Sequence, residues 1–158
     1  MKKLLFIFAL ALAGYHLSYG QTPADIYNTF ASEAKVQTVS IGDFAIKLAG
    51  EYNELAKGIK SINVLTLSEC SQLVKDRFAK EVGLLNTDGY EPIVRVNKDN
   101  EMVKLFVKVD GDTINELLVI VTGKDPVLVT LKGSFSKSEL LAKMDKIKVS
   151  KSGSVSVL

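Results

Sequence analysis

Tryptophan is absent from this 158-residue chain, and cysteine and histidine occur once each, as Cys70 and His16. A single cysteine excludes an internal disulfide framework, so stability has to come from an apolar core. One histidine leaves little acid–base or metal chemistry, because imidazole is the commonest ligand and the commonest general base. An excess of charge is missing too. The 20 Lys and Arg residues face 18 Asp and Glu residues, which argues against nucleic acid as a partner, since phosphate binding needs a clustered basic surplus. No glycine-rich phosphate loop is present: "GKD", residues 123–125, has neither the upstream glycine nor the Ser or Thr of the Walker pattern.

What the chain does have begins at its start. Lys2 and Lys3 precede an unbroken apolar run from Leu4 to Ala13, followed by a mixed stretch ending "SYG". That is the layout of a secretory signal peptide. The run makes a helix of roughly 15 Å, half of the roughly 30 Å of bilayer hydrocarbon, so it is short for a permanent span. Ser18 and Gly20 supply the small residues that signal peptidase requires, which places cleavage between Gly20 and Gln21 and makes residues 1–20 the signal. The protein is then expected to be exported, periplasmic or secreted, with no permanent membrane span. Cleavage removes Lys2, Lys3 and His16, leaving balanced charge and no imidazole.

Folded structure is expected to begin where the signal ends. Thr22 and Asp25 form a capping box with Pro23 in the first turn, opening a helix to about Ala34. "VQTVSI", residues 36–41, reads as a strand. After the start signal at Gly42 and Asp43, Phe44, Leu48, Tyr52, Leu55 and Ile59 recur at the spacing of an amphipathic helix, and Gly58 sits where it should stop. "INVLTL", residues 62–67, is a second strand, and the long connection suits a parallel crossover. Ser68 is placed to cap a helix over 69–85, with Cys70, Leu73, Val74, Phe78, Val82 and Leu85 on one stripe.

The period then changes from helical to alternating. From Tyr90 to Lys132 four β-rich runs are separated by "KDN", "DG" and "GKD", the turn chemistry of an antiparallel meander. In the second run Val103, Leu105, Val107 and Val109 share one face, and Lys104 and Lys108 are expected on the uncovered one. Ser136 to Glu139 form a second capping box, opening a helix with Leu140, Leu141, Met144 and Ile147 inward. Residues 148–158 read as a loose tail or an added edge strand. The expected fold is a single α+β domain over residues 21–147, a mostly antiparallel sheet of about six strands with helices packed on one face.

Within that frame, chemistry is scarce. Cys70 reads either as a reactive or dimer-forming thiol near a helix N-terminus or as a small apolar residue beside Val74 and Phe78, and the second reading is favoured. Asp99, Glu101, Asp110, Asp112 and Asp125 sit at hairpin turns, where turn formation explains the aspartates without a catalytic pair. "DGD", residues 110–112, lacks the alternating ligands of a calcium loop. Lys143, Lys146, Lys148 and Lys151 form a basic cluster best read as solvated surface. No catalytic, cofactor-binding or metal-binding residue is assigned, and no cofactor is expected.

The succession "VQTVSI", "SINVLTL" followed by cysteine, and then "YEPIVRVNKDNEMVKLFVKVDGDTINELLVIVTGKDPVLVTLKGSFS" resembles the exported bacterial proteins of domain-of-unknown-function family 4252. The likeness spans nearly all of the chain after residue 20 and is most distinctive over residues 101–133. It implies no catalytic residue, cofactor or substrate. Many members are lipoproteins, and the absence of a lipidated cysteine here separates this chain from them. The expected role is a non-catalytic envelope module that binds a protein or a small ligand through an exposed sheet face or an edge strand. The alternative is a carboxylate-dependent hydrolase acting on an envelope or extracellular substrate, and carriage of a small apolar ligand is a third reading. N-terminal sequencing of the exported protein is expected to begin at Gln21; a start at Met1 refutes the signal reading.

Overall fold

In a computed structural model, residues 20–43, 45–46, 57–138, 147–149 and 155–157 are described. The elements are α1 (Pro23–Phe30), β1 (Gln37–Ile41), β2 (Ile59–Thr66), α2 (Gln72–Gly83), β3 (Tyr90–Lys98), β4 (Glu101–Asp110), β5 (Thr113–Thr122), β6 (Val127–Ser136), β7 (Ile147–Val149) and β8 (Val155–Val157). Strands β1 to β6 form one antiparallel sheet in the order β1-β2-β6-β5-β4-β3. This is the expected α+β architecture of about six strands.

Local chemistry sets most of the boundaries. The Thr22 hydroxyl accepts the Asp25 N–H at 3.2 Å, and the Asp25 carboxylate accepts the Thr22 N–H at 2.9 Å, so both halves of the capping box are made. These bonds hold the Asp25 carboxyl below its ordinary pKa. In the β3–β4 turn Asp99 and Asn100 have φ of 51° and 65°, the paired left-handed residues that a two-residue hairpin of matching twist requires. At Gly133 the constraint is close approach: a Cβ there would stand 2.3 Å from the Gly58 carbonyl oxygen, which accepts the Ser134 N–H at 2.7 Å.

Several expectations are corrected. The β1–β2 pair is antiparallel, Ile41 lying opposite Ile62, because a connection long enough for a crossover can equally return the chain to the end it left. Ile59 opens β2 and does not close a helix. That expected helix lies outside the described residues except for Asp43, Ala45, Ile46 and its end at Lys57 and Gly58; of the last one beyond Ser138 only Ile147 is described, and it opens strand β7, not a helix. Ser71, not Ser68, caps α2, accepting the Val74 N–H, and Leu73 is 79% exposed while Val82 and Phe78 are buried. Among the described residues of the tail, β7 pairs antiparallel with β8.

The largest correction concerns which face α1 and α2 cover. Paired residues across an antiparallel ladder share a face, and one row runs Thr38, Leu65, Leu128, Ile120, Lys104 and Arg95 from edge to edge. Its apolar middle and Leu118 pack with Ile26 and Phe30 of α1 and with Phe78 and Val82 of α2. Lys104 and Lys108 therefore lie on the helix-bearing side. The β4 valines face the other way, where Val107 joins a second buried cluster with Ile114 and Phe135. Strands β2, β5 and β6 are apolar on both faces, and they decide where the helices go. On the opposite side the row Val39, Val64, Val129, Val119, Leu105 and Val94 is apolar throughout.

The helices are joined where the Phe78 ring meets Phe30 edge to face, centroids 5.4 Å apart. Arg77 lies over Phe30 at 4.9 Å and pairs with Glu33 in the loop after α1. Urea unfolding should show Phe78→Ala to be about 3–5 kcal/mol less stable than wild type. Leu73→Ala, drawn from the same sequence stripe, should stay within about 0.5 kcal/mol.

Candidate functional site

The helix-bearing face is apolar only under the helices. One rung further along the sheet it becomes Ser40, Asn63, Thr130, Leu118, Phe106 and Pro92, and the next rung is Lys132, Glu116, Lys108 and Tyr90. Helix α1 ends its cover there. The polar rungs, the first turns of α1 and the Asn86–Asp88 loop enclose a cleft of about 620 Å³, within the roughly 300–1,000 Å³ typical of small-molecule sites.

Each wall is fixed by its own contacts. The start of the first helix is held to the loop where the Asn86 N–H donates to the Gln21 carbonyl at 3.0 Å. The loop is tightened by the Asp88 N–H donating to Asn86 Oδ1 at 2.8 Å and by the Tyr90 N–H donating to the Thr87 carbonyl at 3.0 Å. On the floor, the Ser40 hydroxyl donates to Asn63 Oδ1 at 2.7 Å, which turns the Asn63 amide N–H groups away from that contact.

Tyr90 is the most constrained polar group. Its hydroxyl donates to Glu116 Oε1 at 2.7 Å, its ring meets Phe106 edge to face at 6.5 Å, and the Lys108 ammonium lies 5.7 Å from the ring centroid. Burial, followed by the hydrogen bond to Glu116 and the adjacent carboxylate charge, pushes the phenol well above its ordinary pKa.

None of the carboxylates at the turns reaches this cleft. Asp99, Glu101 and Asp125 lie at one end of the meander, and Asp110 and Asp112 at the other end of the ten-residue β4, about 30 Å apart at the rise of an extended strand. Cys70 is buried just ahead of α2, its thiol donating to the Ala34 carbonyl at 3.5 Å, and burial raises its pKa. That is a packed thiol and not an activated one. Of the C-terminal lysines, Lys148 lies in β7, and Lys143, Lys146 and Lys151 lie outside the described residues, as does His16. Among the described residues no three His, Cys, Asp or Glu side chains group as a metal site would require, and no helix is long and apolar enough to cross a membrane.

The sequence reading missed Tyr90, Glu116, Asn63 and Thr130. A signal existed: "INVLT", "INELL" and "LVTLK" each set polar residues, Asn63, Glu116 and Thr130 among them, inside an apolar strand. Only strand register shows that these interruptions fall on the same side. Lys108 drew notice, but for a surface it does not occupy.

The family model described as Domain of unknown function (DUF4252) matches residues 30–150. The chain belongs to this family. The match takes in every strand of the DUF4252 sheet from β1 to β6 and most of the cleft floor, and leaves outside it the start of α1. No curated protein and no solved structure matches the chain, so the reading of the DUF4252 cleft rests on its own geometry.

Tyr90 provides a test of that geometry in solution. A phenol whose folded pKa is raised contributes stability below its unfolded pKa of about 10, and that contribution is lost as pH rises through the folded value. In a spectrophotometric alkaline titration Tyr90 should ionise late, well above an ordinary phenol, and Tyr90→Phe should delete that late step. If the late step survives in Tyr90→Phe, the contact with Glu116 does not hold the proton.

Proposed function

We propose that this DUF4252 protein is an exported, non-catalytic binding module of the cell envelope that takes a small ligand into the cleft between α1 and the polar rungs of the sheet. One observation carries the reading. The polar groups of the cleft stand on paired strands and are already locked by neighbours, Ser40 on Asn63 and Tyr90 on Glu116, as a preorganised binding site requires. Export is supported by the signal-like first twenty residues and by a capped helix that opens directly after them.

Hydrogen–deuterium exchange of the chain from Gln21, with and without the low-molecular-weight fraction of an envelope extract, tests the cleft. Slowed exchange is expected in residues 22–28 and 86–90. Protection confined to β1 or β3 would move the site to a sheet edge, and no protection anywhere would overturn the proposal.

A hydrolase remains the second reading because Asp88 and Glu116 line the same cleft, and glycoside hydrolysis needs two carboxylates. Glu116 is already engaged by the Tyr90 hydroxyl, an arrangement that suits an acceptor held in place. Turnover of envelope material that disappears in both Asp88→Asn and Glu116→Gln would decide for catalysis.

A further inference from the structure

We infer that the ligand of this cleft is a neutral saccharide, an inference that rests on the cleft being the binding site. Charge comes first. The ionisable side chains lining it are Lys132, Glu116, Lys108 and Asp88, which sum to zero, and three of them alternate in sign along a single rung. Such a row offers no net attraction to an anion or a cation. The first turn of α1 also lines the cleft, but its positive end is already met by the Asp25 carboxylate, which accepts both the Thr22 N–H and the Thr22 hydroxyl. An anionic ligand would have to displace that carboxylate.

The neutral donors and acceptors point to hydroxyl groups. Three carboxamides converge from separate elements, Asn28 from α1, Asn63 from β2 and Asn86 from the loop. A carboxamide donates and accepts through adjacent atoms, the complement of a vicinal pair of hydroxyls, with one lone pair each of the Asn63 and Asn86 oxygens already taken by the Ser40 hydroxyl and the Asp88 N–H. The Asn63 amide nitrogen keeps both donors available, since its oxygen takes the Ser40 hydroxyl. Glu116 has a second oxygen beyond the one that holds Tyr90. An apolar ligand would leave these groups desolvated and unpaired, at a cost that excludes it. The rings of Tyr27 and Tyr90 add amphipathic surface against which the C–H face of a sugar can lie.

Isothermal titration of the chain from Gln21 with cellotetraose, xylotetraose and chitotetraose, alongside inorganic phosphate and citrate, tests the class. At least one oligosaccharide should bind with an affinity unchanged between low and high salt. Asn63→Leu should weaken it by at least about tenfold, the loss of one buried hydrogen-bonded group. The late tyrosine ionisation, retained in this variant, shows that the fold and the Tyr90–Glu116 contact persist. Co-sedimentation of wild type, and not of Asn63→Leu, with insoluble cellulose or chitin would identify a polymer as the source. Binding to the soluble oligosaccharide alone would identify a free sugar. Salt-sensitive binding of phosphate or citrate, or no heat with any oligosaccharide, overturns the saccharide assignment; protection of residues 22–28 and 86–90 by the extract would leave the cleft itself standing.

Discussion

The patch formed by Leu65, Leu128, Ile120 and Leu118, all with essentially no solvent exposure, is the contact on which the helix-bearing side depends. Each of these side chains contributes about 1.5–3 kcal/mol by leaving water, and together they give α1 and α2 a surface to dock on. Helix α1 has only eight residues, too few to be stable alone. It exists because Ile26 and Phe30 are buried on the sheet and Phe30 meets Phe78. Where the patch ends, so does the helical cover, and the exposed remainder of that face becomes the floor of the cleft.

The cleft is thus a consequence of packing as much as of its own polar groups. Its wall is the capped first turn of a helix anchored on the apolar patch, and its floor is made of strands whose other face is apolar. A rung carrying lysine, glutamate, lysine and tyrosine would pay a desolvation penalty under a helix. At the mouth of a cleft the same rung stays solvated on one side while Tyr90 and Glu116 satisfy one another. This division of a single sheet face into a dry half and a wet half is what makes a site possible in a protein with so few reactive groups.

Much of the fold was legible because it follows from short-range chemistry. The capping box at Thr22 and Asp25, the hairpin turn at Asp99 and Asn100, and the alternation across β3 to β6 are properties of a few adjacent residues, and each appears in the structure. The failures share a cause. The β1–β2 direction, the start of α2 and the face taken by Lys104 and Lys108 all turn on what a segment packs against. The valines of β4 do face a buried cluster, with Ile114 and Phe135, but on the side opposite α1 and α2. Beside β5 and β6, which are apolar on both faces, it is placed by its neighbours' requirements.

The sequence by itself determined the family, the α+β class, the number of strands in the main sheet and the poverty of imidazole and thiol chemistry, since these reside in composition, periodicity and turn residues. Tertiary structure alone decided which face of the sheet α1 and α2 cover and which polar residues meet. Asn63, Thr130, Glu116 and Tyr90 are separated by whole strands along the chain. They become neighbours only through the register of the ladders, and register is fixed by the long-range burial of Leu65, Ile120 and Leu128, which no local window of the sequence contains.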